Sequence, residues 1–436
     1  MIKKGVKVNS KSEQLAKDFN LESGVGRLWG LSLGCDPEFF IKSTETGEVV
    51  GAERVIPECG LGDEWEGSVI LDGFQAEINV KPDRCREIVA DSLSYVFQEL
   101  KNRLEETGDK FDASFEEVVT VKRDELDSLS DNARQFGCAP SLNASMKPDE
   151  VKITVNPAEY NVRSAGGHLH FGASEDHGEE ARENIEQLLK NKEEQIIKVL
   201  DVVVGNTCVL LDRNPMMAER RKVYGHASEY RIQPHGLEYR TLSNFWLKSY
   251  TLMSFTFNLA RYAISIVNEG DDYVNALMSV VNFDDVIKAI NENDFDLAMK
   301  NFDDFCIFFN ATPLINNWLD YNGGDYVDHR GMEELSDYPS ESCPFSPSSI
   351  KRFKFFVSKG MDYWFTENVI QHWAEQYSHE YAGWEEFSTS RLSDEYYTWK
   401  KLEELKLPEV IEFKAAEPLP LFASINLSGP TYAIYR

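Results

Sequence analysis

The sequence contains no CxxC pair, and its seven cysteines are odd in number and widely scattered along the chain. This distribution argues against a thiolate zinc site and against a disulfide scaffold. Basic residues are also scarce, since 45 Lys and Arg against 74 Asp and Glu give a net charge of −29. Such a surface repels nucleic acid and anionic membranes, so we expect neither as a partner.

Long apolar runs are missing too. No stretch reaches the roughly 18 apolar residues of a membrane span, and the basic start is not followed by the apolar run of a signal peptide. We therefore expect a cytoplasmic protein. The common nucleotide motifs are absent: Gly24–Gly30 misses the GxGxxG spacing, and there is no Walker A, Gly-x-Ser-x-Gly or HExxH sequence. Any use of ATP would therefore require a metal-lined sheet and not a P-loop.

What the sequence does contain is typical of a large globular enzyme, with 436 residues of which 42% are hydrophobic. Strands dominate the first 245 residues without strict βαβ alternation, which favours an α+β fold with an antiparallel sheet. The predicted extended segments are Leu31–Ile41, Glu48–Val55, Val69–Leu71, Ala76–Val80, Phe115–Val121, Arg163–Gly172, Arg220–Arg240 and a tail at Ala423–Ile434. The predicted helices are Arg86–Glu106, Glu179–Val204, Leu247–Val267, Val274–Val281, Phe283–Ile290, Ser349–Phe365 and Trp384–Leu405.

Paired ionisable residues mark several of these segments. His168 and His170 flank Leu169 within a glycine-rich stretch, and in a strand this spacing places both imidazoles on one face. Carboxylates with imidazoles suit divalent cations, whereas arginines suit phosphate or carboxylate. Four such pairs therefore favour strands that line one polar cleft. The other three are Asp36 with Glu38, Glu229 with Arg231, and Glu238 with Arg240.

The acidic pairs and the arginine segment also have plainer interpretations. The acids Asp36 and Glu38, or Asp72 and Glu77, fit a solvated sheet face, although a carboxylate between apolar neighbours is costly to bury unless it is paired or metal-bound. The arginines of Arg220–Arg240 fit salt bridges between neighbouring strands. A positive island in so acidic a chain nevertheless favours an anionic ligand.

Taken in order, these motifs resemble the glutamine synthetase and glutamate–cysteine ligase superfamily, and in particular its amidoligase branch, the phage COOH–NH2 ligases. The resemblance covers roughly residues 31–250. It implies a curved antiparallel β-sheet that forms a metal and ATP funnel, with helices packed on its outer face and a mostly helical C-terminal part. The implied division is an arm (1–30), a catalytic sheet core (31–265), a mainly helical region (266–408) and an extended tail (409–436).

The resemblance also implies roles for individual residues, with ATP and two or three Mg²⁺ or Mn²⁺ ions as cofactors. Glu38, Asp72 and Glu77 would hold one ion, and Asp36, His168 and Glu238 another. Arg240 would contact the transferred phosphate, and Arg231 and Arg163 would bind the nucleotide. Arg220 or Arg221 would bind the substrate carboxylate, His170 would contact substrate, and Glu229 would assist in deprotonating the amine.

The implied reaction is ATP-dependent ligation of a carboxylate to an amine through an acyl phosphate, giving an amide or isopeptide bond. Small molecules or peptides would supply both groups, and a phage-encoded enzyme would act in the host cytoplasm. Two alternatives stay open: a metal-dependent hydrolase that uses the same cleft without ATP, and a non-catalytic phage protein that keeps the fold. The oligomeric state also stays open.

Overall fold

The structure is a computed structural model of the chain. It describes residues 10–21, 28, 30–63, 66–84, 86–134, 141–145, 160–174, 178–212, 214–248 and 250–312. The helices predicted at Ser349–Phe365 and Trp384–Leu405 and the tail Ala423–Ile434 lie outside these residues. Across the described part of the chain, no helix combines the length and apolar character needed to cross a membrane.

Thirteen short strands are described: β1 (Leu31–Cys35), β2 (Glu38–Ser43), β3 (Val49–Val50), β4 (Leu61–Asp63), β5 (Gly67–Asp72), β6 (Gln75–Val80), β7 (Phe111–Ser114), β8 (Val118–Thr120), β9 (Leu142–Asn143), β10 (Val162–Ser164), β11 (Leu169–Ala173), β12 (Glu229–Gln233) and β13 (Gly236–Tyr239). They form three antiparallel sheets. Sheet I has the order β1-β11-β13-β12-β9, and sheet II has the order β3-β2-β6-β5-β4 with β7 also paired to β2. A third sheet pairs β8 with β10.

The described helices are α1 (Ser10–Asp18), α2 (Arg86–Glu106), α3 (Arg123–Ser128), α4 (Asp131–Arg134), α5 (Glu179–Asn191), α6 (Glu193–Leu200), α7 (Asn206–Leu211), α8 (Met217–Arg220), α9 (Tyr250–Asn268), α10 (Asp271–Val280), α11 (Phe283–Glu292) and α12 (Phe295–Ala311). A π-helical turn at Asp201–Gly205 joins α6 to α7. Short 3₁₀ turns lie at Ala52–Arg54 and Asn244–Lys248.

The predicted first strand, Leu31–Ile41, is divided into β1 and β2 at Asp36 and Pro37. Proline lacks the N–H that a ladder position needs, and the chain changes sheets there, because β1 pairs with β11 whereas β2 pairs with β6. The N–H of Glu38 donates to the carbonyl of Gly166 at 2.8 Å, so the junction stays hydrogen-bonded. Asp36 and Glu38 therefore lie where sheets I and II meet, and not on one face of a single strand as predicted.

Two further predicted strands are shorter in the structure than expected. The return strand Glu48–Val55 is reduced to β3, after which a 3₁₀ turn begins at Ala52. The histidine segment Arg163–Gly172 is interrupted between β10 and β11, so His168 directly precedes its strand. The two-residue turn between β5 and β6 agrees with the predicted hinge, since Gly73 has φ of +59° at the first turn position, as a tight hairpin requires.

The arginine segment Arg220–Arg240 was predicted to be extended throughout, which is wrong for its first half. Arg220 ends α8, and turns follow until β12 begins at Glu229. The long helix predicted at Glu179–Val204 is interrupted at Lys192, which links α5 to α6. Helix α12 was missed, whereas α2 spans the predicted residues.

Alternation along the strands of sheet I separates an apolar face from a polar one. Leu169 and Phe171 of β11 are buried on the apolar face, as are Leu237 and Tyr239 of β13. Helix α5 packs against both strands, and α6 packs against β13. Burying each such side chain stabilises the fold by roughly 1.5–3 kcal/mol, and this fixes which face of the sheet remains for polar groups. A mixed fold of antiparallel sheets and helices is thus confirmed, although the strands form three sheets where one curved sheet was predicted.

Candidate metal and phosphate site

The polar face of sheet I carries a row of residues set by strand register. His170 on β11 lies opposite Gly34 on β1 and, on its other side, opposite Glu238 on β13. Glu238 in turn lies opposite Arg231 on β12. Because paired residues in adjacent strands point to the same face, an imidazole, a carboxylate and a guanidinium are aligned across three strands.

A first cluster, called cluster 1, consists of Asp36, His168 and Glu238. One ligand atom from each residue lies within 4.8 Å of the others. His168 Nδ1 is 3.0 Å from Asp36 Oδ1 and 3.5 Å from Glu238 Oε1. His168 and Glu238 are almost fully buried, and the Asp36 side chain is 16% exposed. Two carboxylates and an imidazole at these separations form a donor set suited to a divalent cation.

The electrostatics of cluster 1 favour an ionised aspartate. Burial raises the pKa of Asp36, but the nearby imidazoles of His168 and His170 outweigh burial and leave this pKa well below its usual range. Burial lowers the pKa of His170, yet Asp36 outweighs it and the net pKa is raised. His170 Nε2 lies 3.0 Å from Asp36 Oδ1. Asp36 therefore presents a negative charge at the junction of the two sheets.

Cluster 2 consists of Glu38, Asp72 and Glu77, with ligand atoms likewise within 4.8 Å of one another. Glu38 begins β2, Asp72 ends β5 beside the hairpin turn, and Glu77 lies on β6. Glu38 Oε2 accepts hydrogen bonds from the Gln75 amide at 2.9 Å and from the Gly166 N–H at 2.8 Å. These two donors hold one oxygen atom of the buried glutamate in place.

Crowding of carboxylates in cluster 2 is visible in their proton affinities. Burial, followed by the charge of Glu38, raises the pKa of Asp72 to about 7. Burial, followed by the charges of Asp36 and Asp72, raises the pKa of Glu77 to about 10. Like charges and desolvation both disfavour the ionised form, so a cation at this position would relieve the repulsion. Asp36 of cluster 1 and Glu38 of cluster 2 are separated only by Pro37, so the two clusters are neighbours.

Arginines and an amide surround Glu238. Arg240 Nε is 3.0 Å from Glu238 Oε1, and both side chains are fully buried. Arg231 Nη1 is 3.4 Å from Glu238 Oε2, and its side chain is 28% exposed. Gln233 donates to the same Oε2 at 2.6 Å. Of these two arginines, Arg231 is the more accessible to a ligand.

The structure places the other predicted arginines outside both clusters. The guanidinium of Arg220 donates to the carbonyls of Thr241 and Leu242 at 3.0 and 2.7 Å, and Arg221 also donates to Thr241. Arg163 donates to the carbonyls of Val162 and Arg134, both at 3.1 Å. Burial lowers the pKa of all three, to about 10 for Arg163 and about 9 for Arg221. These cations hold main-chain segments next to the site.

Glu229 is also engaged within the protein. It is buried, and its Oε2 accepts the N–H of Gly225 at 2.9 Å. Its Oε1 lies 2.7 Å from Nδ1 of His226. This carboxylate therefore closes the loop between α8 and β12.

Residues 140–280 match the family model described as phage phiEco32-like COOH.NH2 ligase-type 2. The expected resemblance to the amidoligase branch is confirmed. The match covers about a third of the chain. No curated protein matches the chain.

The match to the ligase family includes His168, Glu238 and the arginine segment, but it begins after cluster 2 and Asp36. Cluster 1 is therefore built from two matched residues and one residue outside the match. Sheet register brings Asp36 to His168, because β1 pairs with β11 in antiparallel register up to Cys35 and Leu169.

Sequence reasoning missed two side chains of the site. His235 occupies the turn between β12 and β13, where its Nε2 lies 2.9 Å from His170 Nδ1. Tyr224 lies in the loop after α8, and its hydroxyl contacts both His168 Nε2 and Arg240 Nη2. Tyr224 stands within the arginine segment, but no spacing rule distinguishes a bonded tyrosine from an ordinary loop aromatic.

Proposed function

We propose that the protein is an ATP-dependent carboxylate–amine ligase that forms an amide or isopeptide bond through an acyl phosphate. One observation carries this proposal: clusters 1 and 2 lie side by side at the junction of two sheets, with Arg231 at the edge of cluster 1. The matched family carries the name of a COOH–NH2 ligase, which supports formation of a C–N bond.

The donor sets fit divalent cations of the Mg²⁺ class. We assign one ion to Asp36, His168 and Glu238, and another to Glu38, Asp72 and Glu77. The pKa of Glu77, raised to about 10, supports this assignment, because a carboxylate left without a cation there holds its proton. When bound, such ions neutralise the charge of a triphosphate and of the phosphoryl group in transfer.

The arginines divide into two groups. We assign Arg231 to the phosphate oxygens of ATP, because its side chain is partly exposed beside Glu238. The full burial of Arg240 favours holding Glu238 over direct contact with the transferred phosphate. We assign Arg163, Arg220 and Arg221 to holding the main chain, since their guanidinium groups already donate to carbonyl oxygens.

The chemical steps need no protein nucleophile. A substrate carboxylate oxygen attacks the γ-phosphorus of ATP, the bond to the β-phosphate oxygen breaks, and ADP leaves. The amine nitrogen then attacks the acyl carbon, inorganic phosphate leaves with the electron pair, and the nitrogen loses a proton. We place the substrates beside His170, which borders cluster 1. The engagement of Glu229 with Gly225 and His226 argues against its service as the base.

The test is a mass-spectrometric screen of carboxylate and amine pairs with ATP and Mg²⁺. We expect ADP release that requires both substrates and the metal, and that is lost on chelation. Glu238→Gln should abolish turnover, whereas Glu116→Gln, which removes an exposed carboxylate paired with Lys42, should not. Metal-dependent cleavage without ATP would favour the hydrolase. Absence of ATP turnover, together with unchanged nucleotide affinity in Glu238→Ala, would refute the ligase.

A further inference from the structure

Tyr224 joins two parts of cluster 1 that come from different strands. Its hydroxyl oxygen contacts Nε2 of His168, the ring nitrogen that faces away from Asp36 and Glu238. Arg240 donates from Nη2 to the same oxygen at 2.6 Å. One phenolic oxygen is thus shared by a predicted metal ligand and by the arginine that holds another.

Four side chains contact one another in a closed cycle. From Tyr224 the path runs through Arg240 to Glu238 Oε1, with 3.0 Å between Nε and the carboxylate oxygen. That oxygen lies 3.5 Å from His168 Nδ1, and His168 Nε2 returns to Tyr224. This cycle of contacts fixes the ligand atoms of His168 and Glu238 with respect to each other.

Packing restrains the Tyr224 ring as well as its hydroxyl. The Cζ atoms of Arg220 and Arg240 each lie 5.1 Å from the ring centroid, which is cation–π range. The imidazole of His168 meets the ring edge-on, with centroids 5.7 Å apart and planes at 81°. The loop that carries Tyr224 is held in turn by the bond from Gly225 N–H to Glu229.

The hydrogen-bond chemistry gives these contacts a direction. A histidine nitrogen that binds a cation has no proton, so the other ring nitrogen of the neutral imidazole donates. With His168 Nδ1 facing Asp36 and Glu238, Nε2–H is the donor and the Tyr224 oxygen the acceptor. Partners of this kind typically change metal affinity by roughly 10–100-fold when removed.

We propose that Tyr224 is a positioning residue that holds His168 and the Arg240–Glu238 pair in the geometry needed to bind a divalent cation at cluster 1. The proposal rests on the proposed function for the identity of cluster 1 as a metal site. It adds a residue that neither the motifs nor the family match singles out. Cluster 2 has its own restraints, through Gln75 and Gly166, and does not depend on Tyr224.

The first test is Mn²⁺ binding by the full chain, which requires no turnover. We expect two classes of ion in the wild type, and Tyr224→Phe should weaken one class by about tenfold or more while leaving the other unchanged. Tyr262→Phe is the matched control, because it removes a buried hydroxyl of α9 that contacts Thr312 at the end of α12. An unchanged Mn²⁺ titration in Tyr224→Phe, or equal weakening of both classes, would overturn the proposal.

A second measurement uses the wild-type protein and so does not depend on the folding of a variant. Imidazole ¹⁵N spectra of the Mg²⁺-loaded chain, with His168 assigned by His168→Gln, should show the proton on Nε2. A proton on Nδ1 would overturn the proposal. If the ions bind as expected but no substrate pair consumes ATP, the ligase fails and the role of Tyr224 stands. If the wild type binds no Mn²⁺, both fail.

Discussion

Glu38 on β2 lies directly opposite Glu77 on β6, so that register brings two carboxylates onto adjacent strands at the junction of the sheets. Like charges directly opposite each other destabilise a strand pair. With Asp72 completing the cluster, this arrangement is unfavourable without a cation or bound protons.

Metal affinity should increase with pH. In the metal-free protein the pKa of Asp72 is raised to about 7 and that of Glu77 to about 10, so binding must displace protons near neutrality. For each proton displaced, the apparent affinity should rise by about tenfold per pH unit. Isothermal titration of Mg²⁺ or Mn²⁺ at pH 6 to 8, in buffers of different ionisation enthalpy, counts these protons. Binding without proton release would contradict the assignment of cluster 2.

Glu77→Gln should stabilise the metal-free protein at pH 8 while weakening metal binding. The folded-state pKa of Glu77 lies above its unfolded value, so its contribution to stability is present below the unfolded pKa and lost as pH rises through about 10. Urea unfolding in the presence of EDTA, at pH 5 and at pH 8, measures the difference in free energy of unfolding between the variant and the wild type. Glu116→Gln, at an exposed surface pair, serves as the control and should change stability little at either pH. Equal stability of Glu77→Gln and wild type at both pH values would contradict the raised pKa.

The stability of the protein should also depend on the ionisation of Asp201, a buried carboxylate outside both clusters. Its Oδ1 accepts the hydroxyl of Tyr239 at 2.7 Å, and its Oδ2 accepts that of Ser228 at 2.6 Å. Burial raises the pKa of Asp201 to about 6, so its contribution to stability falls as pH rises from about 4 to 6. Asp201→Asn has a similar shape, keeps one acceptor oxygen and cannot ionise, so it should remove this pH dependence. Asp201→Ala removes two buried hydrogen bonds and should cost about 1–3 kcal/mol in the free energy of unfolding.

Arg231→Ala should raise the KM for ATP roughly 10–100-fold with little change in thermal stability. The lost interaction is a charge-assisted hydrogen bond to phosphate, of about 1.5–3 kcal/mol. Arg54→Ala is the matched control, because Arg54 is a surface arginine paired with Glu125 and should leave KM unchanged. An unaltered KM in Arg231→Ala, with turnover intact, would remove Arg231 from the nucleotide site.

Gly225→Ala should destabilise the protein much more than Gly47→Ala. Both glycines have positive φ, at +67° and +70°, so both substitutions carry a backbone cost of about 1–2 kcal/mol. A Cβ on Gly225 would lie 1.9 Å from Arg220 Nη1, whereas a Cβ on Gly47 meets nothing within 4 Å. Because both variants carry the backbone cost, the difference between their melting temperatures reports the effect of the clash between the added Cβ and Arg220. Equal melting temperatures would mean that the arginine moves aside freely.

The sequence allowed correct predictions where a local pattern determines structure. The apolar spacing of α2 and the Asp72–Gly73 turn are local, and both were located. The resemblance implied the two triplets that the structure brings together, although their binding of ions stays a prediction. The division at Pro37 could be recognised only as a weak ladder position, because a change of sheet depends on distant pairing partners.

The burial of individual side chains was the main property that residue spacing could not predict. From the sequence alone, Arg220 and Arg221 were interpreted as cations that bind a ligand. In the structure their guanidinium groups donate hydrogen bonds to main-chain carbonyl oxygens. Tyr224 and His235 contribute to the site through a loop and a hairpin turn, where no periodicity marks the direction of a side chain. Their contacts became visible only with tertiary structure.

The junction at Asp36 and Glu38 has a mechanical consequence. The first residue belongs to cluster 1 and the second to cluster 2, while the strands on either side belong to different sheets. An ion at cluster 1 would tie Asp36 to His168 and Glu238 of the sheet I side, and an ion at cluster 2 would tie Glu38 to Asp72 and Glu77 of sheet II, so the short connection between the sheets would be anchored at both ends. Hydrogen exchange of the amides in β6 of sheet II and in β13 of sheet I, which carry Glu77 and Glu238, should therefore slow as metal is added.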